Sequence, residues 1–268
     1  MTSLALVGFR SDANSSYLRG AAEAPPLIRE AMFSESSNTW TEDGVDLARA
    51  SFHDAGDLGE ESGADMFARI EAAIVHLLER GHAPISLGGD HAITYPILRG
   101  FAKRHPRLSV LHFDAHPDIY DEFQGNRLSH ACPFARIMEN GLADRLVQVG
   151  IRTASPEQRA QVSRFGVEMI EMKDFRDGLV LEFESPVYVT FDLDGLDPSC
   201  APGVAHREPG GLTTRQAVDV IRRVRGTVVG ADVVEFNPRM DSSGMTAMVA
   251  AKLVKEIAAR MILSGGAA

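Results

Sequence analysis

The stretch Val110-Leu111-His112-Phe113-Asp114-Ala115-His116-Pro117-Asp118 decides the fold and points to the site. A short, mostly apolar run that does not alternate with polar residues reads as a strand buried on both faces, as parallel strands between helix layers are. Beyond it, residues i, i+2 and i+4 of an extended segment share a face, so Asp114, His116 and Asp118 can converge on one point. Two carboxylates and an imidazole at a buried strand end repel or desolvate at high cost unless a cation joins them. A solvated acidic loop would not explain why small Ala115 and rigid Pro117 fill the gaps, so a metal site is the favoured reading.

Five more runs of the same kind flank this one: Leu4 to Phe9, Ala83 to Leu87, Leu146 to Ile151, Pro186 to Phe191 and Val228 to Val234. Between them, Ala64 to Arg80 carries an apolar stripe at spacings of three and four. Thr213 to Arg225 opens with Thr213 and Gln216 in capping-box spacing, and Met245 to Leu263 is a nearly all-apolar helix. Such alternation predicts one domain over 1–268, a three-layer α/β/α fold with a doubly wound, mostly parallel sheet. Ligands of such sheets bind outside the carboxyl ends of the strands.

Composition narrows the function. With 44% hydrophobic and 24% charged residues the chain is an ordinary globular one, not a disordered one. A net charge of −10 argues against nucleic acid, which asks for a basic face. No run approaches the roughly 20 apolar residues of a membrane span. Two cysteines, Cys132 and Cys200, are too few for a disulfide framework, and Met1 to Val7 lacks a basic leader, so the expected location is cytoplasmic.

Three more runs end in polar constellations. Leu87 is followed by Gly88-Gly89-Asp90-His91, where two glycines let the chain turn tightly over the strand tip; alone this is equally an ordinary capped turn. Phe191 is followed by Asp192-Leu193-Asp194-Gly195-Leu196-Asp197-Pro198, with Asp197 reading as a turn residue. Val234 is followed by Glu235, an acid out of place at the end of an apolar strand. The metal candidates are then His91, Asp114, His116, Asp118, Asp192 and Asp194. Oxygen and imidazole donors without thiolate suit Mn²⁺ or Mg²⁺, the imidazoles favouring Mn²⁺ or another transition ion. Six side chains exceed the needs of one ion, so two ions sharing carboxylates fit better.

Leu-Gly-Gly-Asp-His at 87–91, Phe-Asp-Ala-His-Pro-Asp at 113–118 and Phe-Asp-Leu-Asp-Gly-Leu-Asp-Pro at 191–198 resemble the three motifs of the ureohydrolase (arginase/agmatinase) family. The resemblance extends to Asn14–Gly20, Ala201–Gly203, Glu208–Leu212 and Asp232–Pro238. The run from Asp118-Ile119-Tyr120-Asp121 to Phe134-Ala135-Arg136-Ile137-Met138-Glu139 is similar to plant-type arginases, on the agmatinase side of the family.

The resemblance implies one manganese on His91, Asp114, Asp118 and Asp192, and a second on His116, Asp114, Asp192 and Asp194, with Asp118 also counted among the catalytic groups. It implies His130 as a proton shuttle and Glu235 as acceptor of the guanidinium, a planar cation that wants a carboxylate. The implied reaction is hydrolysis of a guanidino compound to urea and an amine. L-Arginine giving L-ornithine is the expected case; agmatine giving putrescine, or another guanidino acid, is the alternative. It also implies a homotrimer or homohexamer. For the far end of the substrate the candidates are Asn126, Arg127, Ser129 and His206, and His112 reads as packed rather than ligating. A metal-binding scaffold without activity is disfavoured, since all six ligands, His130 and Glu235 occur together. A two-metal phosphoesterase is disfavoured because the motifs offer mainly carboxylates.

Overall fold

The computed structural model describes residues 3–50, 52–59 and 64–265; Met1 and Thr2 of the N-terminal reading lie outside them. Eight strands form one sheet: β1 Ser3–Phe9, β2 Phe52–Leu58, β3 His82–Leu87, β4 Ser109–Phe113, β5 Arg145–Ile151, β6 Glu168–Glu171, β7 Val187–Asp192 and β8 Val228–Val234. Their order is β2-β1-β3-β8-β7-β4-β5-β6, and every pairing is parallel. The helices are α1 Ala24–Phe33, α2 Ala64–Glu79, α3 Thr94–Ala102, α4 Pro133–Glu139, α5 Pro156–Phe165, α6 Thr214–Arg222 and α7 Met245–Leu263.

Successive strand residues feed opposite faces. Leu4 and Leu6 join a core with Ile28 of α1, Val218 of α6 and Val254 of α7. Ala5, Val7 and Phe9 join the other, with Ile70 of α2, Ile97 of α3 and Phe134 of α4. This is the three-layer arrangement expected, and it explains why the central strands read as unbroken apolar runs. The capping box at Thr213 is present in both directions and opens α6.

Two strands, β2 and β6, lack that signature, and both lie at the sheet's edges. β2 reads Phe-His-Asp-Ala-Gly-Asp-Leu with its five central residues exposed. An edge strand with charged side chains deters pairing with another chain, at the expense of an apolar pattern.

The four runs with polar endings, β3, β8, β7 and β4, are consecutive in the sheet. Neighbouring strands lie about 4.8 Å apart, so the order gathers all four constellations within reach of one another. Register does the rest: Phe113 pairs with Phe191, so Asp114 and Asp192 leave the sheet side by side.

Candidate metal centre and substrate cavity

The loops after the central strands approach closely. A Cβ at Gly89 would lie 1.7 Å from the carbonyl oxygen of Ser11, and one at Gly195 would lie 2.8 Å from the backbone nitrogen of Asp114. Only glycine lets these turns lie against their neighbours. Asp118 (φ 44°) and Glu235 (φ 63°) sit in the left-handed region, which costs side-chain-bearing residues about 1–3 kcal/mol and concentrates at functional sites.

Three of the buried aspartates each have one oxygen held by the backbone. Asp114 Oδ1 accepts from the His116 N–H (2.6 Å), Asp192 Oδ1 from the Asp194 N–H (2.8 Å) and Asp194 Oδ1 from the Ala115 N–H (3.1 Å). The other oxygens turn inward. His91 Nδ1 lies 3.2 Å from Asp114 Oδ2, 3.1 Å from Asp118 Oδ2 and 3.2 Å from Asp192 Oδ2. His116 Nδ1 lies 3.3 Å from Asp114 Oδ1 and 3.2 Å from Asp194 Oδ2. Three groups that could hold a metal ion result, His91-Asp114-Asp118-Asp192, Asp114-His116-Asp194 and His91-His112-Asp114, with Asp114 common to all.

The residues around these groups fix their hydrogens. Thr190 donates its hydroxyl to Asp232 Oδ1 (2.6 Å), so toward His91 Nε2 (3.0 Å) it accepts. Nε2 then carries the hydrogen, and Nδ1 faces three carboxylate oxygens with no hydrogen bond of its own. Asp232 is itself held by Tyr188 and Thr94. On the other side Gln148 donates to Pro117 O and His112 Nδ1, so His112 donates from Nε2 to Asp114 Oδ2 at 2.8 Å. Burial pushes His112 down to about 4, which keeps it neutral and stacked on Phe134. It is packed and orienting.

The electrostatics call for positive charge. Burial, with the charges of Asp194 and Asp114, holds Asp192 well above the usual carboxylate range. Burial and the Asp114 charge push Asp118 up to about 6. Burial opposes charging His91, yet its three carboxylate neighbours raise its pKa well above the imidazole range. The cluster demands a cation at Nδ1, a proton or a metal ion, and hard oxygen and imidazole donors fit a divalent metal.

Beside the cluster, His130 Nδ1 lies 2.9 Å from Glu235 Oε1 and its Nε2 lies 2.8 Å from Ser16 Oγ. Glu235 Oε1 also accepts from the His91 N–H at 2.9 Å. Burial opposes protonation of His130, but Glu235 outweighs it and pushes the imidazole up to about 9. Burial works to raise Glu235 as well, but the charge and hydrogen bond of His130 keep it lowered. A cavity of about 460 Å³ opens onto His116, Asp118 and His130.

Of the residues expected to meet the substrate's far end, only His206 lines this cavity, its ring 5.4 Å from that of His130 and 6.0 Å from that of His116. Asn126, Arg127 and Ser129 do not line it. Arg127 pairs with Asp121 and Glu139, both at 3.1 Å. Asn126 donates to Asn14, and Ser129 is buried with its hydroxyl accepting from the Ala131 N–H. The wall is formed instead by Ser16, Tyr120, Thr153, Gln158 and Glu208 among others, from loops and the first turn of α5, distant in sequence. Sequence reasoning assigned none of these a role. Asp232 was detectable, as an acid inside the apolar run of β8.

Comparison with known proteins bears directly on this site. The family model described as "Arginase family" matches residues 2–259. The chain belongs to the arginase family. Arginase 1, mitochondrial, of Arabidopsis thaliana is 46% identical, covering 97% of this chain and 81% of its own length. Arginase 2, chloroplastic/mitochondrial, of the same plant is 46% identical, covering 96% and 80%. The solved arginase from Medicago truncatula superposes with a TM-score of 0.91 at 42% identity, covering 97% of this chain and 87% of that one. The chain is an arginase-family hydrolase with the family's fold. The expected cytoplasmic location is overturned, because these plant relatives carry mitochondrial or chloroplastic names.

Proposed function

We propose that the protein hydrolyses L-arginine to L-ornithine and urea, using two Mn²⁺ ions. The observation that carries this reading is the cluster of largely buried His/Asp groups sharing Asp114, in a chain similar to plant arginases over nearly its whole length. His91, Asp114, Asp118 and Asp192 would hold one ion; His116, Asp114, Asp192 and Asp194 would hold the other. Bound there, such ions supply Lewis acidity and water acidified to near-neutral pKa. The low-dielectric surroundings and the backbone-anchored oxygens keep the donors oriented before substrate arrives.

Glu235 receives the guanidinium. Its hydrogen bonds from His91 and with His130 both fall on Oε1, which leaves Oε2 to accept from the planar cation. His130, protonated below about 9 through its pairing with Glu235, holds a proton at neutral pH. Its Nε2 faces Ser16 and the cavity, where it donates to the departing amine. His206 contributes to the substrate cavity wall. One domain, assembled as a homotrimer or homohexamer, completes the proposal.

Agmatine is the second reading, favoured by one observation: none of the described residues lining the cavity is lysine or arginine, so no guanidinium or ammonium group awaits an α-carboxylate. The test is urea release by Mn²⁺-loaded protein offered arginine, agmatine and 4-guanidinobutyrate. Urea chiefly from arginine supports the proposal. Urea chiefly from agmatine replaces the substrate and keeps the chemistry. No urea from any, with two metal ions bound per chain, overturns it in favour of a scaffold role.

A further inference from the structure

The substrate's far end would meet a wall whose polar groups are unequally free. Ser155 Oγ accepts from the Gln158 N–H and Gln158 Oε1 accepts from the Ser155 N–H, so the acceptor atoms of both are committed to capping α5. Burial keeps the pKa of His206 below its ordinary value. The nearby guanidinium of Arg152 is spent on carbonyl oxygens, those of Glu208, Asp194, Gly195, Leu196 and Gly150.

Glu208 differs from all of these. Its carbonyl is clamped by Arg152 from Nε at 2.8 Å and Nη2 at 2.5 Å, which fixes its backbone at the cavity wall. Its carboxylate has no hydrogen-bond or ion-pair partner among the described residues. Away from the His/Asp cluster and the His130–Glu235 pair, it is the charge the cavity wall presents.

We propose that Glu208 is a specificity-determining residue that accepts the ammonium group at the far end of the substrate. The site thereby selects guanidino compounds bearing an amine there over those ending in a carboxylate alone. This deepens the guanidino reading above and rests on it. An unpartnered carboxylate in a partly desolvated cavity attracts an ammonium and repels a lone carboxylate, each by a charge-assisted interaction stronger than a neutral hydrogen bond.

The test compares arginine with 5-guanidinopentanoate, which has its length and carboxylate but no amine, and with agmatine, which has the amine alone. In wild type, 5-guanidinopentanoate should show a KM at least about tenfold above that of arginine, with kcat within about threefold. Glu208→Gln should raise KM about tenfold for arginine and agmatine and leave 5-guanidinopentanoate unchanged, while Glu208→Asp keeps the preference. Calorimetric binding of agmatine to both proteins gives a readout independent of turnover, and unchanged melting temperatures exclude misfolding. Equal agmatine affinity in wild type and Glu208→Gln, or an equal KM change for all three substrates, overturns the inference. Absence of urea from every substrate, with agmatine binding still lost in Glu208→Gln, would overturn the reaction and leave the ammonium site standing.

Discussion

The two ends of the sheet handle charge in opposite ways. At the carboxyl ends of β3, β8, β7 and β4, buried carboxylates face one another with only imidazoles among them. At the amino ends of β4, β5, β7 and β8 lies a larger hollow, about 690 Å³, lined by Arg107, Arg145, Arg225, Asp144, Glu182 and Glu184 among others. There opposite charges pair near water: Arg107 with Asp144 at 3.1 Å, Arg225 with Glu182 at 2.5 Å, and Arg145 with neighbouring Glu168 at 2.6 Å. Size does not mark the functional end. What marks it is like charge concentrated where solvent cannot screen it, an arrangement that raises carboxylate pKa values and asks for a cation.

If that contrast is right, the largest effect comes from the carboxylate common to the His/Asp groups. Asp114→Asn keeps the shape and removes the charge. We expect loss of at least one of two bound metal ions by elemental analysis and a fall in urea release of at least about 10³-fold, since several kcal/mol of transition-state stabilisation come from the ions. Full metal content with near-normal activity would break the comparison at its root.

Next is the backbone that brings the ends together. Gly89→Ala would place a methyl group 1.7 Å from the Ser11 carbonyl oxygen, a collision between two backbones rather than with a flexible side chain. Denaturant unfolding should show a loss of about 3 kcal/mol or more, at the top of the overpacking range. The amino-end hollow has no such junction among its lining residues; Gly226, with φ +141°, is limited by side-chain and backbone atoms of Phe183 no closer than 3.1 Å.

The same contrast explains what could be read from sequence. Six strands and the six proposed metal ligands were visible because each carboxylate or imidazole interrupts an apolar run at its end, as Asp192 does after Val187–Phe191. β2 and β6 escaped because edge strands carry polar residues and lose that signature. The cavity wall escaped for a different reason: Ser16, Thr153 and Glu208 come from three separate loops, and no local pattern says that they face one space. Arg127 was a reasonable carboxylate binder until α4 supplied Glu139, a partner 12 residues away that only the fold brings to it.

His130 sharpens the comparison through pH. Its pKa of about 9, raised against burial by Glu235, exceeds the ordinary imidazole value. A raised folded-state value contributes stability that is fully present below about 6.5 and is lost as pH rises through about 9. Glu235→Gln should bring the His130 titration, followed by NMR, down toward or below the imidazole range, and should flatten the loss of stability between pH 7 and 9. An unchanged midpoint would mean that the pair does not set the proton on His130.

The smallest effect should come from the amino end. Arg225 and Glu182 are both about two-thirds exposed, so water screens their attraction and ordering two long side chains offsets much of the gain. Exposed pairs of this kind contribute about 0–1 kcal/mol. Arg225→Ala should therefore shift the melting temperature by no more than a few degrees and leave urea release unchanged, and 0.5 M salt should make variant and wild type harder to distinguish still. Arg145 is the sharper control, because its guanidinium also donates to the Glu182 carbonyl and lies 4.6 Å from the Phe183 ring. Its removal should cost more stability than that of Arg225 and equally little activity. A drop in urea release from either variant would mean that the amino end reaches the chemistry, and the division of labour between the two ends of the sheet would have to be abandoned.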